Sequence, residues 1–379
     1  MFLKLKNTDV LYFNLEDFVV EIIREDLLPF GLRGMLTDKR DTRSILSNIE
    51  ALKEWLSSRV LSLSRDNAKD IFTLFSIEQN NTLSNRVEVC LKCKALSIQD
   101  SYWVGEEGEN WEDFNIRKNR FTEIIDVALY GEHPSITTDP VNPELTTKGL
   151  FRKAWIRKKD KLILLKSDKT SDFVNTRMEL LSSDLLDYFY VDGKKLRKVD
   201  YWNKNFNGLT VACCENFVGE EYSFVEARFV KQYCNKMGFE FIKYCEKFGS
   251  EFFAVPLVDY IIMNTDRHSE NYGFLMNNDT GELERIAPLF DHNLSLVSDY
   301  FGKNAEDSLS QMIDGYSIIG LAQEFVNDYG SGYLILDIDG LEQFGREIGY
   351  EKIVDNVISR HKKLKSWSGL KSTKLFNEI

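Results

Sequence analysis

Asn264-Thr265-Asp266-Arg267-His268-Ser269-Glu270-Asn271, with Asp291 beyond it, is the stretch on which the fold and chemistry of this chain turn. It sets an aspartate five positions before an asparagine (271 − 266), and a second aspartate twenty positions after that (291 − 271). Those side chains, in that order, suit phosphoryl transfer. One carboxylate takes the proton of an attacking hydroxyl, while an amide oxygen and a second carboxylate hold magnesium on phosphate oxygens. Local roles compete with this, because Asn and Asp also cap helices and turns, and the DxxxxN spacing is common by chance.

The flanking sequence bears on the choice. Pro256 suits the first turn of a helix, and Leu257, Tyr260 and Ile261 recur at helical steps, so a buried helix is expected to run to Met263 with Asp266 at its exit. Tyr272 to Met276 reads as a strand, Asn277 to Gly281 as a turn, and Leu283 to Ile286 as the returning strand. Asn271 and Asp291 then stand at the open end of a hairpin, beside Asp266. Three oxygen-bearing side chains so gathered suit a hard cation such as Mg²⁺.

Upstream, Leu150 to Ile156 and Leu162 to Lys166 are apolar runs around a charged break, which predicts a second hairpin. Lys166 ends its strand, where a lysine can reach nucleotide phosphates. Glu179 lies thirteen positions on (179 − 166), beside a helical stripe of Met178, Leu181, Leu185, Leu186 and Phe189, so an orienting ion pair with Lys166 is expected. The competing reading is a solvated lysine and a solvated glutamate, each the commoner case. Thr146-Thr147-Lys148-Gly149 precedes the first strand and can wrap phosphates with backbone N–H groups, on the strength of one glycine. Leu209 to Cys214 reads as a buried strand.

At 379 residues the chain exceeds the size at which one core stops growing, so two lobes are expected. Residues 1–143 read as an accessory region of mixed strands and helices, 144–218 as a β-rich lobe, and 219–379 as a mostly helical lobe. The class is α+β, with a nucleotide expected between the lobes. Within the accessory region, Arg43 to Leu74 and Phe114 to Leu129 show helical periodicity, and Gly131 to Pro143 is the best linker.

Hydrophobic residues at 43% and aromatic residues at 13% supply a packed core. The net charge of −12 (48 basic against 60 acidic residues) argues against direct nucleic-acid binding. No signal peptide and no membrane-spanning run is visible, which points to the cytoplasm. Six cysteines do not make a disulfide framework, and Cys90 with Cys93 reads as a pair of structural thiols. Trp103 and Trp111 read as packing residues, His133 and His361 as isolated surface histidines, and Arg360 to Lys365 as a solvated helix end.

With these residues assembled, the sequence resembles the HipA-like serine/threonine kinases, bacterial enzymes that include toxins of toxin–antitoxin pairs. The resemblance rests on Asp266 to Asn271, on Ile286-Ala287-Pro288-Leu289-Phe290-Asp291 with Ser295, and on Cys214-Glu215-Asn216-Phe217 at a lobe hinge. It covers residues 144 to 300, with a histidine that follows the aspartate of the catalytic loop instead of preceding it. It implies a two-lobed protein-kinase-like fold, with ATP and Mg²⁺ as cofactors and a protein hydroxyl as acceptor. Asp266 would be the catalytic base, with Arg267 and His268 supporting the loop or the γ-phosphate, and Asn271 and Asp291 the metal ligands. Lys166 would hold phosphates and the backbone of Cys213, Cys214 and Glu215 would pair with adenine. Family members can be silenced on a phosphate-loop serine, where this chain has Thr146 and Thr147. An antitoxin or other regulatory protein is the partner the family suggests. A lipid or small-molecule kinase and a non-catalytic nucleotide-binding module stay open as alternatives.

Overall fold

The amino terminus forms three strands, Phe2–Leu5, Thr8–Asn14 and Val19–Ile22, which pair antiparallel. Tyr102–Gly105 adds to the free edge of Phe2–Leu5 and completes a four-stranded sheet. The computed structural model describes residues 1–78, 82–132, 139–168, 172–206 and 208–367. Gly131 to Pro143, read as a linker, falls partly outside these, and so does His133.

The helical run expected from Arg43 to Leu74 is two helices, Thr42–Ser57 and Ala68–Leu74. Asp41 caps the first by accepting from Ser44 N. The break follows from Arg59, whose buried guanidinium leaves the helical path to grip Asp100 at 2.7 Å and 2.8 Å and Ala95 O at 2.8 Å. The helix expected over Phe114 to Leu129 is absent. A short helix Trp111–Phe114 and a π-helical turn Asp126–Tyr130 flank an irregular stretch. Arg157 donates to Ile116 O and Arg117 O, each at 2.9 Å, so carbonyls that a helix would bond internally are taken from outside. Trp103 and Trp111 are buried in a cluster with Leu96, Ile98, Ile116, Trp155 and Leu162.

The hairpin expected after residue 150 forms from Arg152–Lys158 and Lys161–Ser167, and Leu209–Glu215 and Tyr201–Phe206 extend it to four strands in that order. The hairpin at residue 272 also forms, as Gly273–Asn277 and Leu283–Ile286, with Tyr222–Glu226 paired to its first strand.

By contacts the chain divides into two compact units. The first holds Met1–Phe173, Trp202–Phe241 and Gly273–Arg285. It is stapled by a buried ion pair, Arg65 Nη2 to Glu144 Oε2 at 3.0 Å; the same guanidinium donates to Thr147 O at 3.3 Å and to Lys153 O. Glu144 Oε1 in turn accepts the Trp155 amide.

The second unit holds Val174–Tyr201, Ile242–Tyr272 and Ile286–Ile379 and is mostly helical. Its centre is the apolar helix Ser250–Ile261, packed by Ile318–Tyr329 and Glu351–Trp367. Pro256 lies inside that helix and not in its first turn. A proline there gives up one backbone hydrogen bond, and the burial of Phe252, Val255, Leu257 and Tyr260 around it carries the helix through. The basic run at 360 is also less solvated than its composition suggests. Arg360 is buried and forked onto Asp299 at 2.9 Å and 2.6 Å, and it donates to Ile261 O. His361 is buried too, and burial together with the neighbouring Lys365 ammonium pushes its pKa down to about 4.

A histidine that folds neutral but charges on unfolding makes stability rise with pH between its folded and unfolded values. Denaturant titrations from pH 4 to 6.5 are expected to show such a rise, with a limiting slope of about 1.4 kcal/mol per pH unit from this one group. His361→Gln is expected to flatten it. An unchanged profile in the variant would move the effect elsewhere.

Among the described residues the strand pairings given in register are antiparallel and helices are many, the α+β class expected. Among the described residues no helix is long and apolar enough to cross a membrane.

Candidate active site

Asp266 leaves the end of the Ser250–Ile261 helix through a turn at Met263, whose φ of 49° is left-handed. Asn264 bridges the turn: its Nδ2 donates to Asp259 Oδ1 at 3.0 Å, and its Oδ1 accepts the Asp266 amide at 3.1 Å. From Asp266 onward the loop is held by its own backbone, His268 N to Asp266 O and Asn271 N to His268 O, both at 2.8 Å. His268 Nδ1 accepts from Glu270 N at 3.2 Å, which leaves the ring's proton on Nε2 in the neutral form. Asn271 turns its amide nitrogen back onto Asp266, 3.0 Å from the backbone oxygen and 3.4 Å from Oδ2. Its amide oxygen therefore faces away from that hydrogen bond, available as a ligand.

Arg267 is the fastener of the loop. It is 2% exposed and sends Nε and Nη2 to Asp259 at 3.0 to 3.1 Å, Nη1 to Asn271 O at 2.8 Å and to Phe290 O at 2.7 Å, and Nη2 to His292 Nδ1 at 3.3 Å. A guanidinium has about five N–H donors, and these contacts occupy them. Of the two roles left open by the sequence, support of the loop is the one this geometry fits. The contacts to Asn271 O and Phe290 O also fix the residues on either side of the hairpin's open end.

Asp291 follows Phe290 with a φ of 59°, a left-handed conformation that aspartate tolerates better than most residues. Its amide donates to the Tyr201 hydroxyl at 3.3 Å, and the next amide, His292 N, donates to Glu179 Oε1 at 2.9 Å. Glu179 is thus buried beneath the stretch that carries Asp291. Burial lifts the Asp266 carboxyl above its ordinary range. The charge of His268 opposes this, the Asp291 carboxylate adds to it, and Arg267 opposes it; Gln311 Nε2 donates to Thr265 O at 3.0 Å on the same loop. Two carboxylates within electrostatic reach of each other, one desolvated, disfavour both being ionised.

Among the described residues no group of three or more His, Cys, Asp or Glu is gathered as a metal cage. The loop and the residues after the hairpin thus carry two carboxylates and one side-chain amide, at Asp266, Asp291 and Asn271.

The remaining sequence-predicted residues lie on the other unit. Lys166 is buried on the strand Lys161–Ser167, opposite Ala212 on one side and Lys153 on the other. Lys153, which the sequence reading passed over, is equally buried, so two lysine stems share one face of the sheet. Gly149 has a φ of +101°, and a Cβ there would collide with Lys153 Nζ, which donates to Lys148 O at 3.1 Å. Lys148 points its own ammonium to Glu226 at 2.8 Å. Burial pushes the Glu226 carboxyl up, but Lys148 and Arg228 overcome it and hold it below the usual range. The Thr147 hydroxyl donates to Pro143 O and accepts from Trp155 Nε1, both at 2.7 Å, and Thr146 donates to Pro143 O at 3.2 Å.

Cys213, Cys214 and Glu215 end an interior strand; Cys213 faces Leu165 and Cys214 faces Leu164. Past the strand's exit at Glu215 the Asn216 amide donates to Leu162 O at 2.9 Å. Both thiols are buried and outside any disulfide, and burial pushes that of Cys213 up to about 11. Cys90 and Cys93 are likewise buried free thiols, with Cys90 pushed up to about 12 by burial.

Sequence reading also missed Asp259, His292, Tyr201 and Gln311. Asp259 carried a usable signal, a lone charge in the apolar run Leu257-Val258-Asp259-Tyr260-Ile261. The others had none.

No protein-family model matches the sequence, and no curated protein matches it. The fold does have relatives. HipA of the Shewanella oneidensis MR-1 toxin–antitoxin system, solved with HipB and operator DNA, aligns over 97% of this chain and 96% of its own, with a TM-score of 0.51 at 13% identity. The Helicobacter pylori proinflammatory kinase CtkA aligns over 60% of this chain and 93% of its own at 15% identity, with a TM-score of 0.43, and no weight rests on it. The chain has the HipA fold, the one toward which its own loop and hairpin motifs point.

Proposed function

We propose that this protein is a Mg-ATP-dependent serine/threonine protein kinase of HipA-like type. The observation that carries the reading is the grouping of Asp266, Asn271 and Asp291 around a loop fastened by Arg267. Asp266 accepts the proton of the acceptor hydroxyl, and Asn271 and Asp291 hold magnesium. The bound metal supplies neutralisation of the phosphate charge. Lys166 holds phosphate oxygens, and the adjacent buried Lys153 adds a second cation of the same sign. Arg267 and His268 keep the loop in register. Glu179 supports the Asp291 strand exit, and Thr147, Lys148 and Gly149 shape the turn before the first strand. The backbone around Cys213, Cys214 and Glu215 pairs with adenine.

In this reading residues 1–143 are the accessory region, 144–218 the nucleotide lobe and 219–379 the catalytic lobe. The protein acts in the cytoplasm on an unidentified protein hydroxyl. A regulatory protein partner is part of the proposal, by analogy with the HipB bound to the Shewanella HipA. With a net charge of −12 the chain itself is not expected to grip nucleic acid.

The test is transfer of labelled γ-phosphate from Mg-ATP to protein, its own chain included. Asp291→Ala is expected to lower transfer by about a thousandfold or more, as loss of the group that holds a charge-stabilising ion should. Undiminished transfer in that variant refutes the metal assignment. Label found only on added lipid favours a lipid kinase, and tight ATP binding without transfer favours a non-catalytic module.

A further inference from the structure

Downstream of the catalytic loop, Glu306 to Ile318 folds into a short ribbon. Ser310 N donates to Tyr316 O and Ile318 N to Ser308 O, both at 2.8 Å, which pairs Leu309 with Ser317 antiparallel. Glu306 roots the ribbon at one end, accepting from Lys363 Nζ at 2.7 Å and from the Tyr260 hydroxyl at 3.2 Å. Met312 is buried, and its carbonyl accepts from the Tyr272 hydroxyl at 3.4 Å. Gln311 Nε2 donates to Thr265 O at 3.0 Å, next in the chain to Asp266. The ribbon is therefore set against the loop that carries the base.

Its outer edge is open. The two ribbon bonds bracket Leu309, and a residue so bracketed turns its own N–H and C=O away from the paired strand. On the Ser317 side the carbonyl is taken, by Leu321 N at 2.9 Å. On the Leu309 side, among the described residues, neither the N–H nor the C=O has a hydrogen-bond partner. The Leu309 side chain is 76% exposed, more than any other large apolar side chain among the described residues. An unpaired backbone donor and acceptor beside an apolar side chain is what an extended peptide uses when it adds as a strand. Leu309 stands two positions from Gln311, about 7 Å of extended chain. Around it Asp307 and Asp314 are exposed, whereas Glu306 is answered by Lys363 and Lys303 lies over the Phe301 ring. Basic side chains on the added strand complement the two aspartates.

We infer that the Leu309 edge is the docking surface for the protein acceptor, which adds to it as an extended segment bearing apolar and basic residues and so brings its hydroxyl to Asp266. The inference rests on the kinase reading and deepens it by naming the class of acceptor. A helix cannot serve, because its backbone groups are bonded internally and leave nothing to pair with the edge.

The probes are a short synthetic serine peptide rich in leucine and arginine, and a copy with glutamate at every arginine. Fluorescence anisotropy with the full chain is expected to show the arginine peptide binding about tenfold tighter. Leu309→Pro removes the outward N–H and leaves the ribbon's own bonds, at Ser308 O and Ser310 N, in place. It is expected to weaken docking about tenfold at an unchanged thermal midpoint. If its midpoint falls, Leu309→Ser decides, since that exposed side chain carries no packing; a loss of about tenfold is again expected. With Mg-ATP, kcat/KM for the peptide falls by the same factor and KM for ATP stays constant. Wild-type affinity in Leu309→Ser overturns the surface, and equal binding of the two peptides overturns the charge assignment. Docking in the expected pattern with no phosphate transferred refutes the kinase reading, and the acceptor role with it. Transfer to the arginine peptide that both Leu309 variants leave unchanged refutes the surface alone.

Discussion

Asp266→Asn is expected to lower phosphoryl transfer about 10²- to 10⁴-fold while leaving ATP affinity near that of the wild type. The substitution keeps volume and polarity but removes the group that accepts the proton. Its neighbours need not move: the Asp266 amide still donates to Asn264, and the Asp266 carbonyl still receives His268 N and Asn271 Nδ2. The loss should therefore appear in kcat. Nucleotide binding by titration and turnover by ADP release separate the two quantities. Loss of ATP affinity with turnover per bound nucleotide preserved would make Asp266 a binding residue and not a base.

Arg267→Ala is expected to be the most damaging single change outside the reacting groups. It removes the partner of Asp259, which is buried, and leaves an uncompensated carboxylate against the Ser250–Ile261 helix. Breaking a buried pair from one side typically costs about 3–5 kcal/mol. Three further acceptors, Asn271 O, Phe290 O and His292 Nδ1, lose their donor at the same time. The thermal midpoint should fall by many degrees, and any remaining folded protein should be inactive. Arg267→Lys is not expected to rescue, because one ammonium cannot reproduce a fork that meets four groups. A variant with a wild-type midpoint would show that the network is not what holds the loop.

The sequence made the local structure legible around the candidate site. The hairpin from Gly273 to Ile286 could be read because its turn residues and alternation lie within a few positions of one another, and that placed Asn271 and Asp291 together. Lys166 could be placed for the same reason. What escaped were contacts that join distant positions without a periodic trace: Tyr201 to Asp291, Glu179 to His292, Gln311 to Thr265. The missing helix over Phe114 to Leu129 fails in the same way. Its periodicity is real, but Arg157, forty positions later (157 − 117), takes the carbonyls. Pro256 misled in the opposite sense. A strong local rule for helix starts was overridden by the apolar surroundings that carry the helix past it. His361 looked solvated inside a basic run because single-sequence composition cannot show that Arg360 folds inward onto Asp299.

The buried pair between Arg65 and Glu144 bears on how such a protein can be assembled over time. The arginine belongs to the first 143 residues, yet its fork reaches Thr147 O and Lys153 O, in the turn and strand that precede Lys166. A chain starting after that point would keep a dry carboxylate at Glu144 with no cation to answer it, and two carbonyls with no donor. The amino-terminal region is accordingly no detachable module that a lineage could shed or exchange by recombination at a neat boundary. Cutting or exchanging the chain at residue 143 is expected to destabilise both sides of the cut, since each holds one half of the buried pair.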